Sequence, residues 1–521
     1  MPILMNLVLC FVIALTGWFG FTGLHSGQIF GPVNTLEIFS LGAIGTWRWS
    51  QFFMRLMRSW YYQFWRFPRW RKFANQVPTE AIPNVCLIVP TYKEQAWINE
   101  RVFRAIVLEA YTLEQPLMVF VSSSSDEENE AIQTIVKAND PDNRVKLILR
   151  TQQHGKRKAL ADSLRELATM NIPDNTIIGL MDGDSELASG VLRKTLPFFL
   201  LFPKLGALTT DEIPIVQGSY LFSEWFHLRF VQRHYQMCSD SLSRKVICLT
   251  GRFSLFRGDA ALHPGFADQL EFDQLDDWLW GRFKFLSGDD KSTWFWLLKN
   301  RYEMLYIPDA LVYSIETVSG SVPERAIANM RRWFGNMLRN NSRALALGPK
   351  VTGWGIWYAL LDQRLSIWTS LISPSVLVLS VFQGHWFVTG LVVFWTLLTR
   401  PIMLILIFIG RQSHLKPIHI GLLIMMQWFS SLIKIWVQMN LAQQKWTNRG
   451  NQSIDIGGGV LKRFLKRSAS QFMIVVQVLT FAMSILMLVG QFRPWEDFAV
   501  RKFYQQVSKE KLDFPLEQVK Q

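Results

Sequence analysis

Cysteine is scarce in this chain: four residues in 521, at Cys10, Cys86, Cys238 and Cys248, with no C-x-x-C pair among them. That spacing excludes a zinc site and a disulfide framework and leaves the thiols as small buried hydrophobes. Acids are the minority charge, 41 against 55 Lys and Arg, for a formal charge of +14. No zinc-finger spacing or other nucleic-acid motif accompanies that surplus. The basic excess therefore points to membrane lipid, and no nucleic-acid partner is expected. No Lys or Arg precedes the first apolar stretch, at 4–24, and no A-x-A site follows it. That stretch is read as a membrane anchor rather than a cleaved signal peptide.

What the chain has in quantity is large apolar side chains: 49% of residues are hydrophobic and 22 are Trp. Its length allows two or three domains. A second span is expected at about 33–47, with Glu37 near its start. The segment from Arg48 to Lys72 then carries seven basic residues and no acid, interleaved with Trp60, Tyr61, Tyr62, Trp65 and Trp70. Basic residues with interfacial aromatics after a span mark the cytoplasmic side. Residues 1–73 are thus expected to form two transmembrane helices plus a basic interfacial segment, and 80–345 a cytoplasmic domain. Apolar segments at 366–383, 386–410, 418–438 and 472–490 form a second membrane region within 346–490, and 491–521 a C-terminal tail. Three crossings between Trp333 and Trp446 would put the latter outside. So either one segment is interfacial or re-entrant, or 386–410 breaks at Arg400-Pro401. Arg364, Arg400 and Lys434 fall in or beside these segments, where ionisable groups line a polar pathway or snorkel to the interface.

Between the membrane regions, Val85 to Val89 reads as a buried strand ending at Pro90-Thr91-Tyr92-Lys93-Glu94, with a helical pattern from about Ala96. Leu117 to Val121, Arg144 to Leu149 and Thr176 to Met181 read as further strands. Strands alternating with helices imply a mainly parallel sheet whose ligands bind beyond the C-terminal strand ends. Pro90 to Glu94, Ser122 to Asp126 and Asp182 to Asp184 should therefore meet at one cleft. In Asp182-Gly183-Asp184 two carboxylates share a face at a strand end, which suits Mg²⁺ or Mn²⁺ with phosphate oxygens; D-G is also ordinary turn chemistry. His154-Gly155-Lys156-Arg157-Lys158 is a basic turn opening a helix, suited to a phosphate-bearing ligand or to a solvated cap. In Gly288-Asp289-Asp290-Lys291 one carboxylate can cap a helix while the other serves as general base. Asn329 to Asn336, with Arg332 and Trp333, lies on an amphipathic helix that could hold a diphosphate and a sugar ring or snorkel on lipid.

The ordered set P-T-Y-K-E at 90–94, G-K-R-K-A-L at 155–160, D-G-D at 182–184, G-D-D-K at 288–291 and R-W at 332–333 resembles the processive family 2 glycosyltransferases, which include cellulose, hyaluronan and chitin synthases. The resemblance implies an α/β GT-A-type glycosyltransferase domain inserted between N-terminal and C-terminal transmembrane helices. It implies that Pro90, Thr91, Tyr92 and Glu94 bind the nucleotide with Lys156 and Arg157, and that Asp182 and Asp184 bind metal and diphosphate. It makes Asp290 the catalytic base beside Asp289, and sets Asn329, Arg332 and Trp333 at the acceptor and diphosphate. Trp446 and Arg449 fall in Gln444 to Gly450, similar to that family's cytoplasmic gating loop; an ordinary basic loop is the other reading. The chain departs from the family where Asn329 replaces Gln in Q-x-x-R-W, and where the serine run Ser122 to Ser125 replaces an acid, with Asp126 displaced.

Leu249-Thr250-Gly251-Arg252, the run Gly281 to Ser292 and Trp333-Phe334-Gly335-Asn336 carry a closer resemblance to the glycosyltransferase subunits of bacterial alginate polymerases, the mannuronan synthases. It adds Arg252 to the substrate-binding set. It implies GDP-mannuronate as donor, a growing β-1,4-linked polymannuronate as product, and export across the bacterial inner membrane. A cyclic di-GMP-sensing co-polymerase subunit and periplasmic export proteins are implied partners; no segment here is patterned for that sensor's β-barrel. A synthase of another exopolysaccharide using a different GDP- or UDP-sugar, and a non-catalytic membrane scaffold or transporter, are the alternatives.

Overall fold

The computed structural model describes residues 35–170, 172–173, 175–285, 287–411, 413–444 and 459–488. The anchor expected at 4–24, Trp446, Arg449 and the tail 491–521 lie outside the described residues.

An eight-stranded sheet in the order β3-β2-β1-β4-β7-β6-β10-β5 organises the domain. Its first half is β1 (Val85–Pro90), β2 (Leu117–Ser123), β3 (Val145–Thr151) and β4 (Ile177–Met181), all parallel where they pair. Every residue of β1 and β4 is buried, as continuous apolar runs require when helices cover both faces. The helices Ala96–Ala110, Asp126–Asn139 and Lys156–Thr169 make the crossovers. Packing is tight at the centre: a Cβ on Gly179 would come within 2.5 Å of the Leu87 side chain.

The other half is mixed. β7 (Phe253–Arg257) runs antiparallel to both β4 and β6 (Leu205–Gln217), and β5 (Ser185–Leu187) antiparallel to β10 (Glu303–Thr317), which is parallel to β6. A small hairpin of β8 (Gln274–Asp277) and β9 (Gly281–Lys284) precedes the helix Asp289–Lys299. The mainly parallel sheet thus describes β1 to β4, while β5 and β7 reverse direction.

The basic aromatic segment is helical throughout: helix Thr35–Tyr61, a π-helical turn at Tyr62–Arg66, then helix Phe67–Asn75. Its aromatics divide between two environments. Tyr61, Phe64 and Trp65 are exposed, but Tyr62 is fully buried and donates a hydrogen bond to the Tyr306 carbonyl at 2.6 Å. Phe67 stacks on Phe198, and Trp70 packs edge-on against Phe202. Tyr62 and Trp70 therefore belong to the domain core rather than to a lipid-facing set.

Among the described residues four helices are long and apolar enough to cross a membrane: Trp354–Phe382, Trp386–Phe408, Ile418–Gln438 and Val460–Leu486. The second is continuous through Pro401, so the chain does not break at Arg400-Pro401. Two compact units divide the chain. One contains Gln51–Ile367 with Arg400–Gln471; in it helix Ile418–Gln438 packs on helix Val322–Ala346, with Lys434 over the Phe334 ring and Arg331 over Trp436. The other includes Trp368–Thr399 and, among its ring contacts, sets Trp368 against Phe481.

Candidate active site

The D-G-D turn leaves β4 and is pinned on three sides. The Asp182 amide donates to the Arg252 carbonyl (3.2 Å), the Ser185 amide to Asp182 O (3.1 Å), and the Ile315 amide to Asp184 O (3.0 Å). Gly183 permits a fourth contact: a Cβ there would sit 3.0 Å from both the Pro90 carbonyl and Thr91 Cγ2. The Thr91 amide in turn donates to Ser122 O at 3.0 Å. The three strand ends expected to meet do meet, because parallel strands in register deliver their C-terminal ends to one edge.

Lys156 ties this turn to the second acidic motif. Gly155, at φ +88°, swings the chain into helix Lys156–Thr169, and Lys156 Nζ lies 2.5 Å from Asp182 Oδ1 and 2.7 Å from Asp289 Oδ2. Burial disfavours the ammonium, but the two carboxylates outweigh it and hold Lys156 above its usual range. Burial pushes the Asp289 carboxyl up, and Lys156 more than reverses that, leaving it below the usual carboxylate range. Asp182 stays raised, by burial and by the Asp184 charge against the pull of Lys156. Among the described residues no cation pairs with Asp290 at contact distance; burial, with the Asp289 charge, pushes it up to about 6 against the weaker pull of Lys291 and Lys156. The Cys248 thiol lies 3.9 Å from Asp290 Oδ2. Two adjacent aspartates therefore end with opposite shifts, the pattern that separates an ionised partner from a group able to exchange a proton near neutrality.

Gly251 stands between the two motifs. A Cβ on it would be 3.5 Å from Asp182 Oδ2, 3.7 Å from Lys156 Nζ and 3.9 Å from Asp290 Cβ. It borders a narrow cleft with Lys156, Thr250, Asp289 and Asp290. Arg252 Nη1 binds Asp184 Oδ1 at 2.5 Å, and its Nη2 is 3.7 Å from Glu316, which also pairs with Arg325. Arg332 reaches the same cluster: burial and the Arg252 charge push its guanidinium down, while Glu316 and Asp182 oppose them. Its Nη2 also donates to Asn329 Oδ1 at 3.4 Å. Trp333 stacks on Trp225 with ring centres 5.6 Å apart.

The donor set suits a hard divalent cation. Asp182 and Asp184 offer carboxylate oxygens, and each already holds a positive group, Lys156 or Arg252. Among the described residues no group of three His, Cys, Asp or Glu could hold a metal. An ion at the two aspartates would thus complete its shell with diphosphate oxygens and water, as Mg²⁺ and Mn²⁺ commonly do.

Arg157 is placed differently from its neighbour. Its guanidinium donates to Leu270 O (2.7 Å), Gln269 O (3.3 Å) and Ser292 Oγ (2.9 Å), tying three helices together. Glu128, which the motifs did not single out, accepts from the amides of Lys93 (3.2 Å) and Glu94 (3.3 Å) and fixes the P-T-Y-K-E turn. Ser125 caps the Asp126–Asn139 helix, and Asp126 accepts from Thr151. Gln444, at the start of the expected gating loop, accepts from the Ser287 amide at 3.4 Å.

A family model described as glycosyltransferase like family 2 matches residues 83–336. A curated relative, glycosyltransferase alg8 of Pseudomonas syringae pv. tomato, is 34% identical over 83% of this chain and 90% of its own length. Glycosyltransferase alg8 of Azotobacter vinelandii is 33% identical over 81% and 86%. An N-acetylglucosaminyltransferase of Rhizobium meliloti is 24% identical over 74% and 86%. Among solved structures, a mannosyltransferase of Pyrobaculum calidifontis in complex with GDP-Man and Mn²⁺ covers 76% of this chain and 98% of that one, at 18% identity and a TM-score of 0.42.

Proposed function

The chain belongs to glycosyltransferase family 2, with the Alg8 glycosyltransferases, and from that premise we propose that it is an inverting polysaccharide synthase transferring mannuronate from GDP-mannuronate to a growing β-1,4-linked polymannuronate. It is a glycosyltransferase with a GT-A-like α/β domain and C-terminal apolar helices that make it a membrane protein. The finer placement belongs to the proposal: an inner-membrane enzyme with its catalytic domain cytoplasmic, exporting its product, working with a cyclic di-GMP-sensing subunit and periplasmic export proteins. The motif resemblance to alginate polymerases supports the donor.

One observation carries the chemistry: Asp290 is raised to about 6 across Gly251 from the Lys156–Asp182 pair. A carboxylate so placed can take the proton of an acceptor hydroxyl at neutral pH. The hydroxyl oxygen then bonds to the anomeric carbon, the bond from that carbon to the diphosphate oxygen breaks, and GDP leaves. Lys156 and Arg252 lie where negative charge grows on the leaving group. Asp182 and Asp184 would hold Mg²⁺ or Mn²⁺, which when bound neutralises diphosphate charge. Arg332 orients the same group from helix Val322–Ala346. Pro90, Thr91, Tyr92 and Glu94 form the nucleotide edge, braced by Glu128.

The test is incorporation by membranes that carry the protein with its partner subunits. Supplied in turn with GDP-mannuronate, GDP-mannose and UDP-sugars, they are expected to make acid-sugar polymer from GDP-mannuronate alone. Polymer from another donor would replace the donor; none from any donor would reduce the chain to a scaffold.

A further inference from the structure

One pair of arginines near this site keeps hydrogen-bond donors idle. Arg229 and Arg233 sit four residues apart on helix Tyr220–Ser241, hence on one face. Arg229 lies over the Trp333 ring, 5.7 Å from its centre, and no carboxylate or carbonyl of the described residues accepts a hydrogen bond from it. Arg233 gives one nitrogen to Glu212 at 2.6 Å, but its Nε and Nη2 are buried without a hydrogen-bond partner among the described residues. Burial and the Arg233 charge push Arg229 down to about 10, whereas Glu212 and Asp211 hold Arg233 above its usual range against burial. Arg233 has Glu212 for one nitrogen only, so an anion set between the two guanidinium groups would take up the idle donors and give Arg229 a counter-charge. The planar fork of arginine fits a carboxylate.

Position selects which anion. Trp333, stacked on Trp225, is the shelf that holds Arg229. The Arg233 charge bears on Cys248, whose thiol lies 3.9 Å from Asp290 Oδ2, so the arginine pair adjoins the reacting cleft. The acid turn already has Lys156 and Arg252 in contact with it, whereas the charged group that bears on Arg229 is Arg233. We propose that Arg229 and Arg233 form a carboxylate-binding site that holds an acidic sugar unit of the growing chain beside the Trp333 shelf. This rests on the proposed polyuronate product and names residues that would distinguish it from a neutral polymer.

The test titrates purified full-length protein in lipid nanodiscs with a β-1,4-mannuronate hexamer, and with the same hexamer after its carboxyls are reduced to alcohols. Wild type is expected to bind the acidic hexamer tighter by on the order of tenfold or more. Arg229→Gln should erase that difference and leave GDP affinity unchanged; Arg229→Lys should restore part of it. Equal wild-type affinity for the two hexamers overturns the proposal. So does a loss of GDP affinity in Arg229→Gln, which would assign the pair to the diphosphate. Should Arg229→Gln fail to accumulate, the wild-type comparison alone decides. No donor enters this assay, so an incorporation result that replaces GDP-mannuronate leaves its outcome standing.

Discussion

Gly251→Ala separates fold from chemistry more cleanly than removal of any charged group. The new methyl would lie 3.5 Å from Asp182 Oδ2, 3.7 Å from Lys156 Nζ and 3.9 Å from Asp290 Cβ, all ordinary contact distances, and Gly251 has no left-handed backbone. The folded chain should accept it, with a gain of about 0.4–1 kcal/mol from the restricted unfolded state. The same methyl occupies the gap between the acid turn and Asp290, where the proposed mechanism sets the reacting carbon. Productive geometry requires approach to about 3–3.5 Å, and displacement by roughly 1 Å costs on the order of a hundredfold in rate. The expected result is therefore an unchanged or slightly raised melting temperature with polymer synthesis down about a hundredfold or more. Gly288→Ala is the contrasting variant: φ is +83° and a Cβ would press within 2.7 Å of the Asn336 side chain, so stability itself should fall. If Gly251→Ala kept its fold and synthesised polymer within about threefold of wild type, the reacting centre would not lie between Asp182 and Asp290.

Asp290→Asn should abolish polymer while retaining nucleotide binding; a base must be ionised, so in wild type the rate should fall as pH drops through about 6 and not as it rises. A pH–rate profile flat from 5 to 8 would remove Asp290 from that role. Chelation should stop synthesis, with Mg²⁺ or Mn²⁺ restoring it, and Asp182→Ala or Asp184→Ala should weaken metal-dependent donor binding; unchanged metal dependence in both would count against them. Arg157→Met should lower thermal stability by about 2–3 kcal/mol, because Leu270 O and Ser292 lose their buried donor, and should leave nucleotide affinity near wild type. A selective loss of nucleotide affinity would return Arg157 to the binding set.

The contrast between Lys156 and Arg157 shows where a local pattern stops being informative. Both lie in one basic turn, and the motif resemblance assigns both to the ligand. Consecutive helical residues point about 100° apart, so neighbours in one motif need not face the same cleft. Lys156 faces it, and Arg157 is spent on the neighbouring helices. The strand ends at Pro90, Ser122 and Asp182 were legible because an apolar run stopping at Pro, Ser or Asp is a local signal. β5, with three residues, and β7, paired antiparallel to two strands distant in sequence, carry no such signal. Glu128 was hidden for the same reason: it reads as one more acid in a helical first turn until β1 and β2 bring the Lys93 and Glu94 amides to it. Tyr62 and Trp70 share their basic, aromatic surroundings with Tyr61 and Trp65, and composition does not say which rings face lipid and which enter the core. Arg229 is the sharpest case. In a helix it reads as an ordinary surface charge, and only a folded neighbourhood holding Trp333 and a second arginine, but no acid for it, makes that charge a question about the substrate.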